Sequence, residues 1–184
     1  MLAGPLRVAR QAVAAAAVAC AVAVGPVRAG GPGEHQVKAA FLYNFANFVQ
    51  WPDGAFASAS APLRVCVIGA DPVGAALDDA FRGQQVQGRS VDIARGASLG
   101  VLGRCHILYL SQSETGRWPD LLRELAAAPT LTVGDGSLVR KGGMVGFVVE
   151  AKRVRFEINR GAAEQAGLRI SSKLLALARI VESD

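Results

Sequence analysis

A chain of 184 residues with 51% hydrophobic and 19% charged side chains is long enough for one domain with a real core and too apolar to be disordered. Twenty Lys and Arg against 15 Asp and Glu give a formal net charge of +5. Length excludes a multidomain machine, and the basic, apolar balance leaves a nucleic-acid binder or a membrane protein to be tested against where those residues sit.

The first 29 residues answer most of that. Arg7 and Arg10 form a positive start, Ala12 to Val24 is an unbroken apolar run, and Gly25-Pro26 breaks it. Val27-Arg28-Ala29 then supplies small or β-branched residues at −3 and −1 of a cut, so residues 1–29 read as a secretory signal peptide cleaved after Ala29. The alternative, a single-pass anchor, needs about 20 apolar residues, more than this run holds. Cys20 loosely resembles a lipobox cysteine but lacks the usual Leu at −3. Export removes three arginines and no acid, leaving 17 basic against 15 acidic residues and a charge of +2. The remaining cations are scattered, densest at Lys152, Arg153 and Arg155. Nucleic acid is excluded as a partner, because phosphate-backbone binding needs a clustered basic face.

From residue 30 to 184 a single domain is expected. After a GGPGE lead-in (30–34), Val37, Phe41, Leu42, Phe45, Phe48 and Val49 recur at three- and four-residue steps and predict a helix over 35–51, ended by Pro52-Asp53-Gly54. Leu63 to Ile68 reads as a strand. Asp71 as N-cap and Pro72 at the first turn open a second helix, with Val73, Ala76, Leu77 and Phe81 on one face. Val91 to Ala94 and Cys105 to Leu110 read as strands. Trp118, Leu121, Leu122 and Leu125 mark a helix with Pro119 near its start. Leu131 to Val133 is a strand closed by Gly-Asp-Gly, and Met144 to Val149 with Val154 to Ile158 form a hairpin around residues 150–153. Ile170 to Val181, with apolar Leu174, Leu175, Leu177, Ala178 and Val181, reads as a terminal helix. This order predicts an α/β single-domain sandwich, its central sheet mixed but mostly parallel and flanked by helices.

Chemistry is sparse along this frame. His35 lies at the lead-in, and His106 sits beside Cys105 on a strand, where adjacent side chains point to opposite faces and cannot form a nucleophile–base pair. No zinc spacing, Walker or Rossmann pattern or nucleophile elbow occurs, and Pro72 removes a donor from the one loop placed to hold phosphate. Gly142-Gly143 reads as a tight backbone turn, and Ser171 and Ser172 as helix caps. No catalytic residue, cofactor or metal is therefore expected. Cys66 and Cys105 remain after export. An oxidising compartment and an even number of thiols favour a disulfide, against the alternative of two separate buried cysteines. Tyr43, Phe48 and Trp51, and the cluster Leu168, Ile170, Leu174 and Leu175, read either as core or as anchors for a partner.

VKAAFLYNFANFVQWP (37–52), PLRVCVIGADPVG (62–74), CHILYLS (105–111), LTVGD (131–135), GGMVGFVVE (142–150), VRFEIN (154–159) and AGLRISSKLLALARIV (166–181) occur in one order across the chain. Together they resemble the YfiR family of bacterial periplasmic proteins. The resemblance implies a non-catalytic regulator in the periplasm that binds the periplasmic part of an inner-membrane diguanylate cyclase and represses cyclic-di-GMP synthesis, affecting biofilm and motility. An OmpA-like outer-membrane lipoprotein sequesters the repressor in the best-known system, and a homodimer is consistent with the family.

The resemblance also assigns residues. It matches Cys66 and Cys105 to the family's disulfide pair, while a further cysteine pair of the best-known member has no counterpart here, which makes a structural bridge simpler than a redox switch. The GLRISSKLL stretch corresponds to a region of partner contact, giving Leu168, Ile170, Lys173 and Leu174 as candidate partner-binding residues. Because family members also occur fused to sensor kinases, a small-ligand sensor domain with an apolar pocket near Trp51 or Trp118 is the second reading. A hydrolytic or redox enzyme is the third, and no site assembles for it.

Overall fold

Alternate residues of the central strands feed two separate cores, and that alternation sets the layers. Val65 and Val67 of β2 (Leu63–Ile68) and Ile107 and Tyr109 of β5 (Ile107–Leu110) enter one core; Cys66, Ile68, Leu108 and Leu110 enter the other. Strands buried on both faces read as continuous apolar runs, as LRVCVI and ILYL do. The protein is described here from a computed structural model covering residues 33–125 and 128–182. The expected signal peptide of residues 1–29 lies outside the described residues.

In chain order the elements are α1 (Glu34–Phe48), β1 (Val49–Gln50), β2, α2 (Gly74–Phe81), β3 (Gln85–Val86), β4 (Arg89–Gly96), α3 (Leu99–Leu102), β5, α4 (Trp118–Glu124), β6 (Leu131–Asp135), β7 (Val145–Glu150), β8 (Arg153–Asn159), α5 (Arg160–Gln165), β9 (Arg169–Ile170), α6 (Ser172–Leu175) and β10 (Arg179–Val181). Eight strands form one mixed, mostly parallel sheet in the order β10-β8-β7-β6-β5-β2-β4-β3. Only β7 with β8 and β3 with β4 pair antiparallel in it. Leu42 and Phe45 of α1, Leu77 and Phe81 of α2, Ala163 of α5 and Leu174 of α6 cover one face. Leu99 and Leu102 of α3, Trp118 and Leu121 of α4, and Leu138 of the 3₁₀ turn Gly136–Lys141 cover the other. The α/β sandwich expected from the sequence is the fold.

Three local readings change. The first helix stops at Phe48, and Val49-Gln50 leave it to pair antiparallel with Ile170 and Arg169. The second helix starts at Gly74, with Asp71 Oδ1 accepting the Gly74 N–H at 2.8 Å from three residues upstream. The expected terminal helix over 170–181 is instead β9, a four-residue α6 and β10. Its apolar residues do recur at helical steps, but Ile170 pairs with Val49 and Ile180 with Ile158 of β8. Tertiary strand pairing of β-branched residues overrides the period. Ser171 caps what helix remains, accepting from the Lys173 N–H. The short strand β3 and helix α3 carry no sequence period of their own.

Candidate functional site

Open parallel sheets bind ligands where the strand order reverses, outside the carboxyl ends of the strands on either side. Here that point lies between β2, whose chain goes to β4, and β5, whose chain goes to β6. The protein fills it with its own atoms. Gly69 follows β2 at φ +93°, and a Cβ there would lie 2.6 Å from Glu114 Cγ and Ser113 Oγ. Ala70 N–H donates to Ser113 Oγ at 2.9 Å, and Ser111 N–H to the Ile68 carbonyl at 3.0 Å. Backbone donors that could cradle a phosphate are thus spent on the Ser111–Glu114 turn.

Charges beside this crevice neutralise one another. Arg95 reaches Asp71 at 2.6 Å and Asp78 at 3.0 Å, and the Asp71 bond raises its basicity. Lys38, buried on α1, bridges Asp135 and Glu34 at 2.8 Å each. Burial pulls its ammonium down, but the two carboxylates outweigh it and leave the pKa raised; Glu34 is lowered by the same bond. Tyr109 donates to Asp135 at 3.0 Å, and burial with that carboxylate pushes its phenol far up. Arg95, Lys38, Glu34 and Tyr109 are all shifted away from neutral pH and offer no poised acid or base. Among the described residues, no group of three His, Cys, Asp or Glu is placed to hold a metal ion.

A second surface is open. It is built around the β1–β9 ribbon, where Ser171 N–H also donates to the Phe48 carbonyl at 2.9 Å. A cleft of about 560 Å³ runs along Arg160, Glu164, Gly167, Arg169 and Ile170, and one of about 420 Å³ touches Gln50, Trp51, Asp53, Gly167 and Arg169. Arg169 and Lys173 are exposed and hold no carboxylate partner among the described residues. Leu168 and Leu174 are buried to 1% and 2% exposure, which corrects their expected place at a partner's surface. They anchor the segment in the core, and the half-buried Ile170 and exposed Lys173 are what it shows outside.

Next to that ribbon, Arg89 holds a stack that the sequence did not disclose. Its guanidinium lies 3.8 Å above the Phe56 ring and donates to the carbonyls of Ser58, Ala59 and Ala61. Phe56 stacks on His106 at 4.2 Å, and Trp51 Nε1–H donates to the His106 carbonyl at 3.2 Å. His106 accepts the Arg64 N–H on Nδ1 at 2.9 Å, which fixes the proton on Nε2, donated to the Ala55 carbonyl at 3.2 Å. Burial, with Arg104, Arg89 and Arg64 nearby, lowers its pKa. Phe56 sits in an Ala/Ser-rich loop with no period, and Arg89 opens a strand, so nothing in the sequence links them. Trp51, Phe56 and Arg89 line a cleft of about 440 Å³. Trp118, near which a pocket was also expected, is buried at 1% exposure with its Nε1–H on the Ser111 carbonyl at 3.1 Å.

Cys66 on β2 and Cys105, just ahead of β5, form a disulfide with Cα atoms 5.9 Å apart, buried beside Leu102 and Leu108 in the second core. Neighbouring parallel strands place the two side chains on one face. His106 points to the other, as alternation requires.

A family model described as YfiR/HmsC-like matches residues 35–179. Among solved structures, the chain is similar to a conserved domain protein of Vibrio cholerae O1 biovar El Tor, with 14% identity and a TM-score of 0.56 over 80% of this chain. The chain spans 60% of the length of that protein, and at such identity the likeness concerns the fold. No curated protein matches the sequence. Family members are periplasmic and regulatory, and act with membrane diguanylate cyclases. The matched stretch runs from the first turn of α1 to the start of β10 and takes in both cores, the disulfide and the β1–β9 ribbon: this chain belongs to the YfiR/HmsC-like family.

Proposed function

We propose that this protein is an exported repressor that binds the periplasmic portion of an inner-membrane diguanylate cyclase and holds down cyclic-di-GMP synthesis. The observation that carries the reading is the family match over residues 35–179. Regulation here is differential binding: the protein favours the inactive cyclase to the extent that it binds that state more tightly. The docking surface is the outer side of β9 and α6, with Ile170 as apolar contact and Arg169 and Lys173 as cations free to meet carboxylates on the cyclase. An OmpA-like outer-membrane lipoprotein competing for the same protein would relieve repression. The structural disulfide is consistent with an oxidising periplasm.

The test is direct binding of the purified protein to the isolated periplasmic portion of the cyclase. Saturable binding that weakens in a folded Ile170→Asp/Lys173→Glu variant by more than its loss of stability explains supports the reading; no binding defeats it. The cleft formed by Trp51, Phe56 and Arg89 favours a second reading, a small-ligand sensor acting with a sensor kinase, since an aromatic wall beside a guanidinium suits a planar anionic metabolite. Thermal-shift screening with such metabolites separates the two.

A further inference from the structure

We propose that the tip of the β7–β8 hairpin is a contact for anionic membrane lipid. Residues 149–153 are all exposed, so the hairpin projects from the sheet as a tip. Its turn, Ala151-Lys152, has φ of +47° and +63°. Two-residue turns of this hand are favoured with Asn, Asp or Gly, and an alanine and a lysine there carry a conformational cost. Backbone cost kept at a tip points to a role for the tip.

Charge gives the chemistry. Lys152, Arg153 and Arg155 hold no carboxylate among the described residues, whereas Arg64, Arg82, Arg95 and Arg117 each do. Glu150 lies opposite Arg153 in the strand register, yet its carboxylate turns to Arg179 at 3.2 Å, and Arg179 also takes Glu157. The local acids are thereby occupied and three cations stay free. Val149, paired with Val154 and so on the other face of the ribbon from Arg153 and Arg155, is 54% exposed near the same tip. A convex tip with free cations and an exposed apolar group suits a planar, fluid, anionic surface, into whose headgroup layer both can settle. A peptide would be expected to need a groove. That a bilayer is within reach rests on the periplasmic reading above. Contact there would hold the repressor beside a membrane-embedded target and raise its effective concentration.

The experiment uses the exported protein and vesicles of phosphatidylcholine alone or mixed with phosphatidylglycerol, read by co-sedimentation. Binding to the mixed vesicles only, weakened by salt, is expected. Lys152→Ser/Arg153→Ser/Arg155→Ser should lower it on the order of a hundredfold, roughly fivefold per cation. Arg169→Ser/Lys173→Ser, which removes free cations elsewhere, should leave it intact. No partition onto mixed vesicles overturns the proposal, as does equal partition of the hairpin variant. Normal vesicle binding by the hairpin variant with loss of cyclase binding would assign the tip to a protein instead. No cyclase is present in the vesicle assay, so its failure and a failure of the repressor reading are read separately.

Discussion

Val49 at the end of the first helix is paired antiparallel with Ile170, 121 positions later in the chain. That pairing fixes the segment proposed to meet the cyclase against the most aromatic part of the core, where Phe45 of α1 packs 5.1 Å from Phe156 and 5.9 Å from Phe147. The proposed partner surface is thus tied to that core by strand pairing, and its buried and exposed residues should respond differently to mutation.

Leu168→Ala and Leu174→Ala each remove a buried side chain and should lower stability by about 2–5 kcal/mol. Lys173→Glu, at an exposed site, should change the unfolding free energy by no more than about 0.5 kcal/mol, and Ile170→Asp, at a half-buried site packed on the core, should lower it by more. Urea titration of the four variants beside their cyclase affinity checks this. Affinity lost only in proportion to stability would remove the surface from the account.

The Cys66–Cys105 bridge closes a loop of 39 residues, worth about 4 kcal/mol in the chain-entropy model. Cys66→Ala/Cys105→Ala should lose about that much, and the oxidised wild type should be unaffected by alkylating agents. Mass mapping without reductant reads the bond directly, and two alkylatable thiols would contradict it.

His106 makes stability fall in acid. Its folded pKa lies below the ordinary histidine value, because burial disfavours the cation and Nδ1 already accepts the Arg64 N–H. The unfolded chain thus binds more protons as pH falls below about 6.5, and stability present above that value is lost as pH drops towards the folded pKa. Unfolding midpoints measured from pH 7.5 down to 5 should decline. His106→Gln, which can keep one donor and one acceptor, should flatten the part of that slope due to this residue.

Lys38 is held between Asp135 and Glu34 with 7% of its side chain exposed. Lys38→Met leaves Asp135 without its cation and should cost about 3 kcal/mol. Differential scanning calorimetry checks the size, and a change under about 0.5 kcal/mol would show Asp135 finding water instead.

How much of this was legible in the sequence varies by element. The strand over 63–68 and the 118–124 helix could be read because the first is a short apolar run between Pro62 and Gly69 and the second meets the helix period and opens at Pro119. The hairpin was legible from two apolar runs with a polar joint, though its positive-φ turn was not, since Ala-Lys is no turn signature. Residues 170–181 misled because Leu174, Leu175 and Ala178 do sit on one helical face while their flanks belong to two different sheets. The family motif marked the 168–174 region as one segment but could not divide it into inner residues, Leu168 and Leu174, and outer ones, Arg169 and Lys173, which the fold around β9 decides. The stack of Arg89, Phe56 and His106 joins three distant stretches through one loop, and single-sequence patterns carry no such information.

The most direct measurement is cellular cyclic-di-GMP in a strain lacking this gene and in the same strain carrying it back. Repression predicts a rise on deletion, a return with the wild type, and no return with an exported, folded Ile170→Asp/Lys173→Glu variant. Unchanged cyclic-di-GMP on deletion, in cells that express the cyclase, would contradict the account.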